Sequence, residues 1–391
     1  MPKDFKHWLM ARWLSNIAKQ LLSVAVAWQV YVRTRDPLAL GLVGLSSAIP
    51  FIITSLWAGH VVDRSEKRGL LMAAQGALGA CAAALFFSTF GRAPLLFLYG
   101  AVALKGASVS FEMISASAFA QTIVPREGFP RAAAWNLITF STATIAGPLA
   151  GGWLLKAHSD RAAYGLAMVF FLGAWTFAAR LRQLPPAPGQ ESEAPTARVK
   201  AGLRFVKNQP LILGAMSLDM VAVLFGDAVA LYPIFADLLK AGPVGFGLLR
   251  ASPAAGAALV SARQVARPFI HPSWRQLKRV VAAFGVFMLG FALAPHLWTA
   301  ALFLFLAGIV DGVSVIIRQS LYQAHTPDSL RGRVAAVSGI FISTSNEIGA
   351  FESGLSAKFL GPVGSVLFGV AMTFATVAGM GWYFRGKIRE E

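Results

Sequence analysis

The sequence predicts an all-α membrane protein: twelve transmembrane helices in two pseudo-symmetric halves of six. Three observations carry that prediction. Charge is scarce and apolar residues run long: 56% of the 391 residues are hydrophobic and 14% charged, and residues 93–104, 162–179, 280–295 and 361–383 hold no Asp, Glu, His, Lys or Arg. About 20 apolar residues span the ~30 Å hydrocarbon layer of a bilayer. One polar, Pro-rich stretch, residues 181–200 with Pro185, Pro186, Pro188 and Pro195, divides the apolar runs into two groups of six. The groups also repeat. Gln121, Pro125, Arg131, Ser141, Gly147 and Gly152 recur 202 positions on as Gln323, Pro327, Arg333, Ser343, Gly349 and Gly354. Gly44-Leu45-x-x-Ala48-x-Pro50 recurs as Gly247-Leu248-x-x-Ala251-x-Pro253. Gly and Ala are common in membrane helices, but an ordered series at constant offset marks a duplicated unit, and parallel six-helix repeats are a transporter architecture.

The spans follow in order, each bounded by charged or Gly/Pro clusters. The first, residues 13–32, comes after Lys3 and Lys6, but it is long and no small-residue cleavage site follows. It is expected to stay as a helix and not to be removed as a signal peptide. Residues 38–61 and 69–90 flank a short charged loop, and residues 94–118, 132–155 and 162–179 complete the first half. The second half supplies residues 211–236, 243–262, 280–295, 298–322, 334–357 and 363–384, the sixth and ninth spans being the short ones. The expected organisation is an N-terminal half at 1–180, a cytoplasmic linker at 181–209 with a short amphipathic segment, and a C-terminal half at 210–391.

Lys and Arg exceed Asp and Glu by 35 to 18, a net charge of +17. A basic balance can mean nucleic acid, but such proteins spread many charges over a polar surface. Here the positive-inside rule explains it. With the N-terminus inside, 24 of the 35 Lys/Arg fall on the cytoplasmic side; that side nets +15, the outer side +4 and the spans −2. Both termini are therefore expected in the cytoplasm, across a bacterial-type cytoplasmic (inner) membrane. The single cysteine, Cys81, allows no disulfide framework and no Cys-based zinc site. No P-loop is present, so energy is expected from an ion gradient or a partner. All six His lie at span ends or in loops, which weighs against a resident metal or metal-ion cargo. No cofactor is implied, and no nucleophile–base spacing suggests an enzyme.

Ten ionisable residues lie inside the spans: Lys19, Lys105, Arg250 and Arg318, and Glu112, Asp219, Asp227, Asp311, Glu347 and Glu352. Each costs a few kcal/mol at mid-bilayer and must face protein or water. Spans one, four, seven and ten carry most of them, eight and eleven the rest, and three, six, nine and twelve none. That three-helix period suggests a polar central cavity lined by the first helix of each three-helix unit. Lys105 and Glu112 are seven residues apart, as are Asp311 and Arg318, so each pair shares a face but sits ~10 Å apart, too far for contact. Their partners are expected on facing helices. Interhelical packing pairs are the plainer alternative for any single residue. A carboxyl in low dielectric holds its proton more readily, so Asp219, Asp227 and Asp311, then Glu347 and Glu352, are the proton-coupling candidates. Lys19, Lys105, Glu112, Arg250, Arg318 and Asn346 are the cavity candidates for substrate.

The loop after the second span reads Gly59-His60-Val61-Val62-Asp63-Arg64-Ser65-Glu66-Lys67-Arg68. It resembles the signature G-x-L-a-D-R-x-G-R-K of the major facilitator superfamily, with Glu66 in place of Gly as in its siderophore and macrolide exporters. The resemblance implies a cytoplasmic gate made by Gly59, Asp63, Arg64, Lys67 and Arg68. Ala146-Gly147-Pro148-Leu149-Ala150-Gly151-Gly152 is similar to the G-P-x-x-G-G motif of that family's drug/proton antiporters, implying a coupling role for Gly147, Pro148, Gly151 and Gly152; helix packing is the alternative. The family's fourth-span motif R-x-x-Q-G is not matched: Val102 and Lys105-Gly106 stand there. Gly202-Leu203-Arg204-Phe205, Leu231-Tyr232-Pro233 and Asn346-Glu347-Ile348-Gly349 look like the enterobactin-exporter-like and macrolide-efflux-like subgroup.

The resemblance implies a monomeric secondary transporter that exports a small organic molecule, a siderophore or amphipathic drug, by proton antiport with alternating access. Uptake, or flipping of a lipid-like molecule without proton exchange, is the alternative, and a non-transporting membrane sensor a remote one.

Overall fold

The computed structural model describes residues 3–91, 93–125, 128–183, 195–267, 269–386 and 388, and among them the only regular elements are helices. The reason is the solvent: without water, a spanning segment must satisfy its own backbone groups, and a helix does so locally. The first six helices are α1 (Lys3–Thr34), α2 (Pro37–Arg64), α3 (Lys67–Ser88), α4 (Leu95–Ile123), α5 (Phe129–Ala157) and α6 (Asp160–Ala179). A linker helix, α7 (Pro195–Lys207), follows residues 184–194, which lie outside the described residues. Next come α8 (Pro210–Gly226), α9 (Tyr232–Leu238), α10 (Gly242–Ala266), α11 (Trp274–Ala292), α12 (Leu297–His325) and α13 (Arg331–Tyr383).

Nine stretches among the described residues are long and apolar enough to cross a membrane. One of them, Asp328–Tyr383, has 56 residues and is ~84 Å long at 1.5 Å per residue, about twice a bilayer. It is two spans in one run, broken at Gly361, whose φ of 75° and ψ of 166° are non-helical. α1 and α11, of 32 and 19 residues, are long enough but begin among charges such as Arg12 and Lys278. With them the fold has twelve spans.

Two details differ from the sequence reading. α1 begins at Lys3, ten residues before the expected span, because an amphipathic N-terminal stretch can stay helical outside the hydrocarbon; Phe5, Trp8 and Ala11 are buried there. The seventh span is not one helix: α8 ends at Gly226, Asp227 has extended backbone (φ −87°, ψ 121°), and a 3-10 turn at Val229–Leu231 leads into α9.

The chain forms two compact units: residues 1–34 with 45–195, and residues 35–44 with 196–391. In the first, α1 packs on α4, α5 and α6, and α3 on α4 and α6. In the second, α8 packs on α11, α12 and α13, and α11 on α12 and α13. Helix approach follows the duplication. A Cβ at Gly106 of α4 would lie 2.2 Å from the Ser47 carbonyl oxygen of α2, and one at Gly308 of α12 would lie 2.0 Å from the Pro253 carbonyl oxygen of α10. Gly106 and Gly308 are themselves 202 apart. Glycine is needed there because the neighbouring backbone occupies the side-chain position.

Candidate functional site

In the first unit, α1 places Arg12 and Lys19 seven residues apart on one face, and α4 brings Glu112 opposite them. Lys19 Nζ donates to Glu112 Oε2 at 2.6 Å, and Arg12 Nη1 to Glu112 Oε1 at 3.4 Å. The Glu112 side chain is 0% exposed, those of Lys19 and Arg12 16% and 13%. Lys105, two turns before Glu112, reaches α1 instead and donates from Nζ to Ser23 Oγ at 2.6 Å. Both α4 residues thus find partners on α1, as their spacing requires. The site holds three bases and one acid.

In the second unit the equivalent helices carry the opposite arrangement. Asp219 of α8 accepts a hydrogen bond from Arg318 Nη1 of α12, with side-chain exposures of 8% and 5%. Tyr322 of α12 and Ser338 of α13 line the same small cavity as Asp219 and Arg318, so three helices meet at this pair. Asp311 is within electrostatic reach of Arg318, Asp219 and Asp227. Asp227 sits at the break after α8, where its Oδ1 accepts the Val229 N–H at 3.1 Å and closes the turn. Arg250 of α10 lies in the field of Asp227, Tyr232 and Glu347. The Glu347 carbonyl oxygen is 3.3 Å from the Cβ position of Gly44, which belongs to the same unit. Glu352 is half-buried, while Asn346 is exposed on α13. Four acids around two bases occupy this unit before Glu352 is added.

The two direct pairs are not superposable copies. In the first half the base is on the first helix and the acid on the fourth; in the second half the roles are exchanged. At an offset of 202, Asp219 corresponds to Ile17 and Arg318 to Ala116, two residues before Lys19 and four after Glu112. The two helices of each pair run antiparallel, so both displacements carry the second pair toward the same membrane face.

The motif residues sort differently. A Cβ at Gly147 would lie 2.5 Å from Gln20 Cβ, and one at Gly151 would lie 3.1 Å from Val24 Cγ1. The antiporter-like stretch is therefore the face by which α5 packs on α1; Pro148 lies inside α5 and Gly152 is buried. Among the described residues, no atom lies within 4 Å of a Cβ built at Gly59. Lys67 donates to Thr122 Oγ1 of α4 at 3.2 Å; Arg64 is exposed and Arg68 half-buried. Asp63 belongs to α2, but its side chain lies outside the described residues.

Sequence reasoning missed Arg12, because the first span was started one residue after it. Its seven-residue spacing from Lys19 was the signal. Ser23, Tyr322 and Ser338 carry no charge, and nothing in the pattern marks them.

Comparison with known proteins agrees with this architecture. The profile of the Major Facilitator Superfamily matches residues 8–350. The chain is 28% identical over 390 residues to a protein named Enterobactin exporter EntS from Salmonella choleraesuis (strain SC-B67), covering 98% of this chain and 91% of that protein. It is 27% identical to the protein of the same name from Escherichia coli O1:K1 / APEC, covering 92% and 87%. Among solved structures it is similar in fold to the POT family transporter PepTSo (TM-score 0.77, 11% identity, 99% and 98% covered) and to the D-xylose-proton symporter (TM-score 0.76, 14% identity, 96% of each). Twelve spans in two duplicated halves, charged residues concentrated on the first and fourth helices of each, and a family match over most of the length lead to one conclusion: the chain belongs to the major facilitator superfamily of membrane transporters.

Proposed function

We propose that this transporter exports a small organic molecule, a siderophore or an amphipathic drug, in exchange for protons and by alternating access. The observation that carries the coupling is the acid-rich network of the second unit. Asp311 lies within electrostatic reach of both Asp219 and Asp227, and of these three acids Arg318 is hydrogen-bonded to Asp219. Taking up or releasing a proton changes the charge balance of such a network, which biases one conformation over another. Glu347 and Glu352 are the next candidates. The base-rich site around Lys19 and Lys105, with Glu112, and the Arg250 and Asn346 positions are the proposed contacts for a polar or zwitterionic cargo. Gly59, Asp63, Arg64, Lys67 and Arg68 serve as the cytoplasmic gate, and Gly147, Pro148, Gly151 and Gly152 as a packing face whose movement on α1 accompanies coupling. The siderophore side of the cargo class is supported by the relatives, which are named as enterobactin exporters. The protein works as a monomer in a bacterial cytoplasmic membrane with both termini inside.

The test is transport by the full chain in liposomes under an imposed pH gradient, across a panel of siderophores and amphipathic drugs. Proton-linked flux of at least one compound is expected. Asp219→Asn, Asp227→Asn or Asp311→Asn should alter the pH dependence of that flux. If all three leave it unchanged, the acids are structural, and uptake or lipid-like flipping without proton exchange replaces this reading.

A further inference from the structure

α1 carries a polar stripe that its ion pairs do not use up. Arg12, Asn16 and Lys19 stand at i, i+4 and i+7, on one face of the helix. Two indole N–H groups fix where that face looks. Trp8 Nε1 donates to the Ala116 carbonyl oxygen of α4 at 3.0 Å, and Trp13 Nε1 donates to Thr142 Oγ1 of α5 at 3.1 Å. At about 100° per residue the stripe lies between these two anchors, so it faces the space between α4 and α5 within the first unit.

Donors outnumber acceptors along it. Arg12 and Lys19 both pair with Glu112 and, among the described residues, with no other acid. One carboxylate therefore serves two cations, and the arginine contact, at 3.4 Å, is longer than the about 2.7–2.9 Å of a good charge-assisted bond. Arg12 Nε and Asn16 Nδ2 are buried and have no hydrogen-bond partner, and Asn16 as a whole is 5% exposed. Buried donors are normally satisfied. A water would satisfy the amide, but it would not balance the spare positive charge, which in a bilayer calls for an anion. The side chains of Arg12 and Lys19 keep 13% and 16% exposure, so the stripe can be reached.

We propose that Arg12, Asn16 and Lys19 form a subsite for an anionic oxygen group of the cargo, a carboxylate or an ionised phenol. The proposal rests on the reading of this face as a cargo contact and adds to it the sign of the charge that the cargo presents there. The incoming oxygen takes Arg12 Nε and the Asn16 amide, neither of which Glu112 uses, and shares Lys19 with Glu112. Arg12 and Asn16 are thereby specificity residues: they reward an anion and leave a neutral isostere with the weaker half of the interaction.

The test is binding, with no gradient imposed. The full-length protein in a neutral detergent is titrated with benzoate, or with benzamide as its neutral counterpart, and the melting midpoint is read by unmasking of the buried Cys81 thiol. Benzoate should raise the midpoint until it saturates, whereas benzamide, or sodium chloride at the same ionic strength, should not. Arg12→Gln and Lys19→Met should each weaken benzoate about tenfold, and Asn16→Leu about threefold. Glu112→Gln removes the competing carboxylate and should tighten benzoate about tenfold, a gain that a merely structural stripe does not predict. The wild-type comparison and Asn16→Leu, which leaves the ion pairs intact, decide the matter if a charge variant does not fold. Equal shifts with benzamide or chloride, or a benzoate affinity that no variant changes, overturn the proposal. So does a transported compound that fails to displace benzoate. Failure of benzoate to bind leaves proton exchange in the second unit standing, and absence of proton-linked flux leaves the anion subsite standing.

Discussion

Glu112 offers the sharpest test of how the first half is held together. It is the only acid facing Arg12 and Lys19 in the site described, and its side chain is fully buried. Glu112→Gln keeps shape and volume but strands two cations against each other. Removing one partner of a buried pair costs about 3–5 kcal/mol. At about 2–4 °C per kcal/mol, the melting midpoint should fall by about 6–20 °C. The lower half of that range is expected, because Lys19 and Arg12 retain 16% and 13% exposure and can turn toward water. The assay is built into the chain. Cys81 is the single cysteine and is buried, so a thiol-reactive fluorogenic dye reports unfolding without engineering. The decisive variant removes all three partners: Glu112→Gln with Lys19→Met and Arg12→Gln. Replacing a whole buried charge group by neutral side chains is often near neutral, so the triple variant should melt within about 3 °C of wild type. If its loss instead equals the sum of the single losses, the three residues do not act as a unit and the reasoning fails.

Three further outcomes follow from local geometry. Gly106→Leu and Gly308→Leu should each abolish folded protein, judged by monodisperse elution, since even a Cβ would lie 2.2 and 2.0 Å from backbone oxygens; Gly100→Ala, with nothing within 4 Å, should be silent. Gly361→Ala forces a side chain into φ 75° and should lower stability by about 1–3 kcal/mol, seen as an earlier melt with unchanged expression at low temperature. Cys81, whose Sγ donates to the Ala101 carbonyl oxygen at 3.1 Å, should resist maleimide in the folded protein at neutral pH and react completely once denatured, as read by mass shift.

The helices were legible because run length is set by the bilayer, and a charge-free stretch such as residues 361–383 has few other uses. What hydropathy could not resolve was geometry below its own averaging window. The break at Asp227 sits inside an apolar run whose mean barely changes, although a Gly-Asp step is a local turn signal. Spacing showed that Lys105 and Glu112 share a face, but not that Glu112 would take Lys19 and Arg12 while Lys105 took Ser23. Spacing fixes the face of a helix; the partner depends on how far the neighbouring helix slides along it. The close approach at Gly147 was likewise readable as a small-residue face, whereas Gly59, equally small, has no described residue within 4 Å of its Cβ position.

The displaced, reversed ion pairs carry a consequence for the history of the duplication. Had the second half exchanged base and acid in place, any single substitution would have left a buried charge alone, a barrier of several kcal/mol for a lineage to cross. Asp219 and Arg318 instead correspond to the uncharged Ile17 and Ala116, and Lys19 and Glu112 to the uncharged Val221 and Ser314, so each half holds its pair where the other holds neutral side chains and no such stranded intermediate is required.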